Sequence, residues 1–264
     1  MIGAREFLKV VTIPQLSDNY AYLLICLKTM HAAVVDPVEY SDVVKYAKFH
    51  NVEKLDGVLI THHHWDHSSG SVAFADKETP LHTTVYGGGH RIKDVMEIVK
   101  DGDNIKIGNL NVKCLGTPCH TMDHICYYAT SENYEEKAVF TGDTLFISGC
   151  GKFFEGTPEM MDEAINGKLA SLPDDTLVYC GHEYTVKNLK FALSLEPMSD
   201  NLKKKLEKAQ ITCFKGGFTV PSSIGEEKKF NPFMRVRDNV MKNVTNMTEP
   251  VDVMKKLRDL KDAF

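Results

Sequence analysis

The segment THHHWDH, residues 61–67, places His62, His64, Asp66 and His67 within six residues. Imidazole and carboxylate are the donors that hold Zn, Fe or Mn in hydrolytic sites. Alternate side chains of an extended segment share a side, so His62 and His64 face the same way, and a following turn can direct Asp66 and His67 to an adjacent position. One loop can thus serve two metals, although a surface loop with chance histidines has the same look. Three further places repeat one grammar: in VKCLGTPCH, AVFTGD and LVYCGH an apolar run ends in small or turn-forming residues, and then His120, Asp143 or His182 appears. Each piece is weak, and their conjunction is what points to a metal centre. Five histidines and two aspartates give each of two cations three private donors if one Asp bridges, with room for a shared hydroxide.

The elements that must position these donors are legible in outline. Short apolar runs rich in Val, Ile, Leu and Tyr (Tyr20–Ile25, Ala32–Val35, Val58–Ile60, Val112–Leu115, Ala138–Phe140 and Leu177–Tyr179) read as buried strands. Ser41 opens a helix with Val43, Val44 and Ala47 on one side, and Thr157-Pro158 opens another. Beyond about residue 183 the texture turns helical. TVKNLKFALSLEP ends at Pro197, DNLKKKLEKAQ is capped by Asp200, and roughly 215–233 reads as irregular. A last helix is capped by Thr248, with Val253, Leu257, Leu260 and Phe264 as its apolar stripe. Residues 1–182 are expected to form a metal-binding domain and 183–264 a small helical one.

Composition narrows the class. The chain has 264 residues, 43% hydrophobic and 25% charged, ordinary values for a globular protein with a sizeable core. No apolar run approaches the 18–20 residues of a membrane span, and the start MIGAREFLKVVTIP reads as no secretory signal. Seven cysteines, odd in number and without a C-x-x-C pair, fit reduced thiols better than a disulfide framework. Net charge is −5, which argues against nucleic acid as a partner. It is unevenly placed: residues 183–264 hold 16 Lys+Arg against 11 Asp+Glu, and residues 1–182 hold 15 against 25. The basic third suits either an anionic ligand or a solvated helical face. The glycines of GKFFEGT and VYGGGH lack phosphate-loop spacing, and nucleotide binding is rejected.

HxHxDH followed by single His, Asp and His donors at strand ends resembles the metallo-β-lactamase superfamily. Within it the chain is similar to the glyoxalase II (hydroxyacylglutathione hydrolase) family through THHHWDH, NVKCLGTPCHT, VFTGDTLFISGCGKFFEG, VYCGHEYTVKNLKFA, NPFMRVR and RDLKDAF, which span nearly the whole sequence. The resemblance implies a four-layer αββα sandwich with a helical C-terminal domain. It implies two divalent metal ions per chain, zinc foremost and iron or manganese suited to the same donors. His62, His64 and His120 would hold the first, Asp66, His67 and His182 the second, and Asp143 would bridge.

The activity implied is hydrolysis of S-(2-hydroxyacyl)glutathione thioesters such as S-D-lactoylglutathione by a metal-bridging hydroxide, the last step of methylglyoxal detoxification. Lys152 and Tyr184 match residues that meet the glutathione moiety. Arg258 and Lys261 match a basic pair, and their i,i+3 spacing on the last helix projects them together. Two departures stand out. Phe154 occupies a place where the family usually has Tyr, and Asp123 precedes His124 where the family often has Gly. A monomer in the cytoplasm is expected, and a mitochondrial form from an upstream start would leave no trace in this sequence.

Other readings remain open at this level. An iron-dependent persulfide dioxygenase would need only His62, His64, His120 and Asp143 and leave Asp66, His67 and His182 idle, whereas other hydrolases of the same fold share the ligands and are disfavoured by the compact length and the basic tail. A binding protein that lost its chemistry would be expected to lack ligands. Among the remaining residues, His63 should point away from the donors, and His31, His50, His82, His90 and His124 are expected to be ordinary. Cys119 should face opposite to His120, Trp65 should pack, Met160 and Met161 belong to a helix core, and Lys203–Lys205 are solvated.

Overall fold

The computed structural model describes residues 7–131 and 135–264; the start of MIGAREFLKVVTIP falls partly outside the described residues. The chain forms two compact units, interleaved in sequence. The first takes the residues up to Gly116 together with Asp123–Gly142; the second takes Thr117–Met122 and Asp143–Phe264.

The first unit begins with strands β1 (Leu8–Gln15), β2 (Asn19–Cys26) and β3 (His31–Val35), then helix α1 (Tyr40–Phe49) and strand β4 (Lys54–Ile60). Short helices α2 (Trp65–Ser68) and α3 (Ser71–Ala75) follow, then β5 (Val85–Gly87) and β6 (Glu97–Ile98). Strands β1 to β3 pair antiparallel and β3 to β6 parallel, giving one sheet in sequence order. β2 and β3 read as near-continuous apolar runs because both faces are covered. Period-2 alternation divides β2: Ala21, Leu23 and Ile25 pack with Val43 and Ala47 of α1 and Phe74 of α3. On the other face Tyr22 meets Phe140, ring centroids 5.5 Å apart. Phe140 belongs to an antiparallel meander of β7 (Asn104–Ile107), β8 (Leu110–Gly116), β9 (Ile125–Thr130) and β10 (Lys137–Gly142). The buried Tyr127 hydroxyl of β9 donates to the Ile60 carbonyl at 2.8 Å. Helices, sheet and sheet therefore stack in layers around one core.

The second unit carries the hairpin β11 (Leu145–Phe146) and β12 (Gly149–Cys150), helix α4 (Pro158–Asp162) and β13 (Leu177–Cys180). Then come α5 (Thr185–Leu195), α6 (Asp200–Phe214), β14 (Ser222–Ser223), α7 (Ile224–Phe230), α8 (Asn239–Thr245) and α9 (Pro250–Ala263). Leu189 and Ala192 of α5 bury against Leu202 and Ala209 of α6.

Several local expectations are corrected here. Ser199, not Asp200, caps α6: its side chain accepts from the Leu202 N–H, which starts the helix at Asp200. The last helix is preceded by Glu249 rather than capped by Thr248, and its buried stripe includes Met254, Arg258 and Lys261 while Phe264 is exposed. The stretch expected to be irregular contains α7, capped by Ser223. Its sequence hides the helix because one of its few buried positions is Glu227. Trp65, expected to pack, is 67% exposed.

Candidate metal and substrate site

Four of the expected ligands lie in the first unit. β4 delivers Thr61 and His62 at its end, and the chain then turns helical at Trp65, so that Asp66 and His67 share one turn. His62 and His67 are buried, and His64 and Asp66 are half-buried. His62 Nε2 and His64 Nδ1 lie 3.0 Å apart, a spacing that two metal–nitrogen bonds of about 2.0–2.1 Å can span. The His67 Nε2 to Asp66 Oδ2 distance is 3.6 Å. Asn19 Nδ2 donates to Asp66 Oδ2 at 2.9 Å and fixes that carboxylate.

Asp36, which the sequence did not single out, orients two of these imidazoles. Its Oδ2 accepts from His67 Nδ1 at 3.0 Å and from the Thr61 hydroxyl at 2.7 Å. With its proton spent on Asp36, Thr61 Oγ1 accepts from His62 Nδ1 at 3.0 Å. Both rings are thereby held with Nδ1 protonated and Nε2 carrying the lone pair a cation needs. Asp36 follows β3 at φ 49°, a left-handed backbone that Asp tolerates better than most residues.

His124, expected to be ordinary, is buried and stacks on His62 with ring centroids 5.1 Å apart. Gly142 explains the close fit: its φ is +44°, and a Cβ there would sit 2.5 Å from Thr61 Oγ1 and 2.8 Å from His124 Nε2. His63 points away from the donors, as expected, and pairs with Asp123 at 3.0 Å. Arg91 joins the same carboxylate at 3.3 Å.

The other three expected ligands lie in the second unit. Asp143 Oδ2 stands 3.5 Å from His120 Nε2 and 3.5 Å from His182 Nε2. One carboxylate oxygen equidistant from two imidazole nitrogens has the arrangement of a bridging donor. His120 Nδ1 donates to the Lys152 carbonyl at 3.0 Å, again leaving Nε2 as the ligand atom. Tyr184 stacks flat on His182, 4.6 Å between centroids. Cys119 is buried, its thiol donating to the Thr157 carbonyl at 3.3 Å, and desolvation pushes its pKa up to about 12.

His120 and Asp143 stand in the wall of a pocket of about 370 Å³, and Lys152, Phe154, Tyr184, Arg258 and Lys261 line it with them. Sequence reasoning missed Lys187, which adds a fourth cation, and Asp262. Arg258 donates to the Cys150 carbonyl and to Asp262 Oδ1, each at 2.9 Å, and lies over the Phe233 ring. Lys152 is 3.9 Å from the same Asp262 oxygen. Lys261 is only 8% exposed, with its ammonium 3.3 Å from the Lys187 carbonyl and 5.0 Å from the Phe191 ring centre. Burial first, then Arg258 and Lys187, pushes its pKa down from 10.5 to about 8. Phe154 is 60% exposed at the rim, its ring 5.1 Å from His120.

Strand-end imidazoles and carboxylates on layered sheets are the hallmark of the metallo-β-lactamase superfamily, whose family model matches residues 18–182. Residues 183–264 match the model of the hydroxyacylglutathione hydrolase C-terminus. The cytoplasmic hydroxyacylglutathione hydrolase of Arabidopsis thaliana is 45% identical over 259 residues, 97% of this chain and 99% of that one. A hydroxyacylglutathione hydrolase-like protein of Gallus gallus is 42% identical over 258 residues, 97% and 90%. Among solved structures, ETHE1 from Myxococcus xanthus superposes with a TM-score of 0.67 at 26% identity, covering 96% of this chain and 91% of its own. The chain belongs to the hydroxyacylglutathione hydrolase family, which makes it a metal-dependent hydrolase. The αββα fold with a helical C-terminal part, expected from the sequence, is what these matches show.

Proposed function

We propose that this chain hydrolyses 2-hydroxyacyl thioesters of glutathione, with S-D-lactoylglutathione as representative, to glutathione and a 2-hydroxy acid, the last step of methylglyoxal detoxification. One observation carries the reading: His120 and Asp143 share a pocket with Lys152, Lys187, Arg258 and Lys261. Candidate metal ligands and four cations suited to a tripeptide with two carboxylates thus meet in one space. The 45% identity to a hydroxyacylglutathione hydrolase over nearly the whole chain supports it.

The proposed ligands are His62, His64 and His120 for one cation and Asp66, His67 and His182 for the other, with Asp143 between them. Zinc is the proposed metal, and iron or manganese suits the same donors. The donors fit such a role: imidazoles are held with Nε2 available, and the Asp143 oxygen is equidistant from two of them. When bound, the cations supply the Lewis acidity that lowers the pKa of a water and polarises a thioester carbonyl.

The remaining work falls to the chain. Asp36 and the Lys152 carbonyl hold imidazoles in one tautomer. Lys152, Lys187, Arg258 and Lys261 take the substrate carboxylates, and Phe154 and Tyr184 flank the tripeptide. The leaving group is a thiolate, whose conjugate acid has a pKa of about 8.5, so departure needs no dedicated general acid. In this reading residues 1–182 form the metal-binding domain and 183–264 the substrate-binding one. The protein acts as a cytoplasmic monomer on a small molecule, without nucleic-acid or membrane partners. Among the described residues no helix is long and apolar enough to cross a membrane.

The test is loss of thioester absorbance from S-D-lactoylglutathione with metal-loaded protein, with chelated protein, and with the Arg258→Ala/Lys261→Ala double variant. Turnover that needs metal, with a raised KM in the double variant, is expected. No turnover by metal-replete protein overturns the assigned substrate.

A further inference from the structure

A second cavity, of about 410 Å³, lies beside α6 and α7 in the second unit, lined by Lys204, Lys205, Lys208, Phe218, Glu226 and Phe230 among others. The sequence reads this lysine run as solvated surface, yet two of its members, Lys204 and Lys205, face a concave wall. Lys205 is committed, its ammonium 3.0 Å from Glu226 Oε2 and 5.1 Å from the Phe230 ring centre. Lys204 and Lys208 make no ion pair among the described residues. They stand at i,i+4 on one helix face, where like charges repel. Phe218 is 41% exposed beside them. Lys208 acts on Glu226 only through space and Lys204 lies exposed beside it, so two cations without a direct ion pair stand against an aromatic wall, a complement to a small anion with an apolar body.

This cavity is joined to the substrate pocket by hydrogen bonds through a buried carboxylate. The Ser222 hydroxyl, on the cavity wall, is shared between Glu226 Oε2 at 3.2 Å and Glu227 Oε1. Glu227 is fully buried and also accepts from the Ser148 N–H at 2.7 Å and from Asn231 Nδ2 at 3.0 Å. Asn231 Nδ2 in turn donates to the Phe146 and Gly149 carbonyls at 3.1 and 2.9 Å. That hairpin places Ile147 in the second cavity and Phe146 and Cys150 in the wall of the substrate pocket.

We propose that this cavity is an effector site for a small organic anion, a carboxylate or phosphate on an apolar body, whose binding weakens substrate binding through Glu227. The anion draws Lys205 away from Glu226, and Glu226 then claims the Ser222 proton it now shares. Glu227 is left with two donors in place of three, at a buried position where each missing donor is felt in full. The hairpin it anchors loosens, and KM for the thioester rises while kcat holds, a coupling between two distinct sites.

Calorimetry on metal-loaded, full-length protein tests this with phenyl phosphate, benzoate and inorganic phosphate as probes. The titration is run both without and with saturating S-methylglutathione, which keeps the probe out of the substrate pocket and, by reciprocity, weakens it at the second site by the same factor by which the probe weakens the ligand. Phenyl phosphate or benzoate is expected to bind, and the tighter of the two assigns the head group; inorganic phosphate binds at least about tenfold more weakly, a difference of 1.4 kcal/mol. The Lys204→Glu/Lys208→Glu variant, altered only at exposed positions, keeps parental kcat and KM without probe and binds it at least about tenfold more weakly. Saturating probe raises the KM of the parent and leaves that of the variant unmoved. Absence of binding by both organic probes, inorganic phosphate binding as tightly as they do, binding undiminished in the variant, or a parental KM that does not rise each overturns the proposal. The binding measurements need no turnover, so failure of the assigned substrate would be seen separately.

Discussion

The imidazole of His120 is tied by its Nδ1 to the main-chain oxygen of Lys152, 3.0 Å away. A candidate metal ligand and a candidate substrate-binding residue thus share one hydrogen bond, made by the backbone of Lys152 and not by its side chain. Between Asp143 and Lys152 lies Gly151, where a Cβ would collide with the Asp143 carbonyl and stand 3.0 Å from His120 Nδ1.

This arrangement separates two substitutions one residue apart. Lys152→Ala keeps the carbonyl and removes an ammonium, so it should raise KM by about fivefold to tenfold, the worth of a charge-assisted bond near 1–1.5 kcal/mol, with kcat within about twofold. Gly151→Ala should instead lower kcat by at least about tenfold, because the collision displaces the backbone that orients His120. Steady-state kinetics on the two variants decides it; equal losses of kcat in both would refute the division of labour.

Asp36 holds His67 directly and His62 through Thr61, so one carboxylate sets the tautomer of two ligands. Asp36→Asn retains a side chain that tolerates the left-handed φ of 49° and loses the acceptor strength. Metal retention against a competing chelator should fall by about 10- to 100-fold. Thr61→Val, which cuts only the link to His62, should cost less. Parental metal retention in Asp36→Asn would show that the tautomers need no such support.

Why the sequence disclosed the ligands and concealed Asp36 is a matter of context. His62, His120, Asp143 and His182 each follow an apolar run, and their types recur at one kind of place. Asp36 also follows a strand, but VVDP reads as an ordinary turn, and its role depends on contacts 25 and 31 residues away. His124 was passed over because its meaning lies in a stack on His62, across the two sheets of the first unit. Lys187 and Lys190, the two lysines of its helix, are both exposed, and no periodicity marks the first as a pocket residue. The α7 helix was invisible for the opposite reason: its buried Glu227 defeats the apolar pattern by which helices are found. Layers and strand ends follow from local pattern, whereas the residues that orient and couple follow from long-range pairing.

Phe154 offers a gain of function. Its ring lies 60% exposed at the rim of the substrate pocket, at the position for which the family resemblance of the sequence implies Tyr. Phe154→Tyr adds a hydroxyl at an exposed position without enlarging the buried part of the ring. One added hydrogen bond to the glutathione moiety is worth about 1 kcal/mol, a fall in KM of about fivefold at constant kcat. An unchanged or raised KM would mean that the departure from Tyr carries no penalty in this chain.

Lys261 makes substrate affinity pH-dependent. Its ordinary pKa of 10.5 is pushed down to about 8, chiefly by burial and then by Arg258 and Lys187. The folded protein therefore sheds this proton earlier than the unfolded chain does. Between about pH 8 and 10.5 the unfolded chain holds more protons, so this group adds stability as pH rises through that window and withholds it below pH 8. Binding runs in the opposite direction, since a substrate carboxylate is met by the ammonium and not by the amine. Affinity for S-methylglutathione should fall as pH climbs past about 8, by about tenfold at the limit. The ligand's own amine titrates in the same region, so the informative quantity is the difference between parent and Lys261→Met across about pH 7 to 9.5. Lys261→Met should bind weakly at pH 7 and converge on the parent at the alkaline end. Two curves that stay parallel over the whole range would show that the Lys261 charge does not contribute to binding.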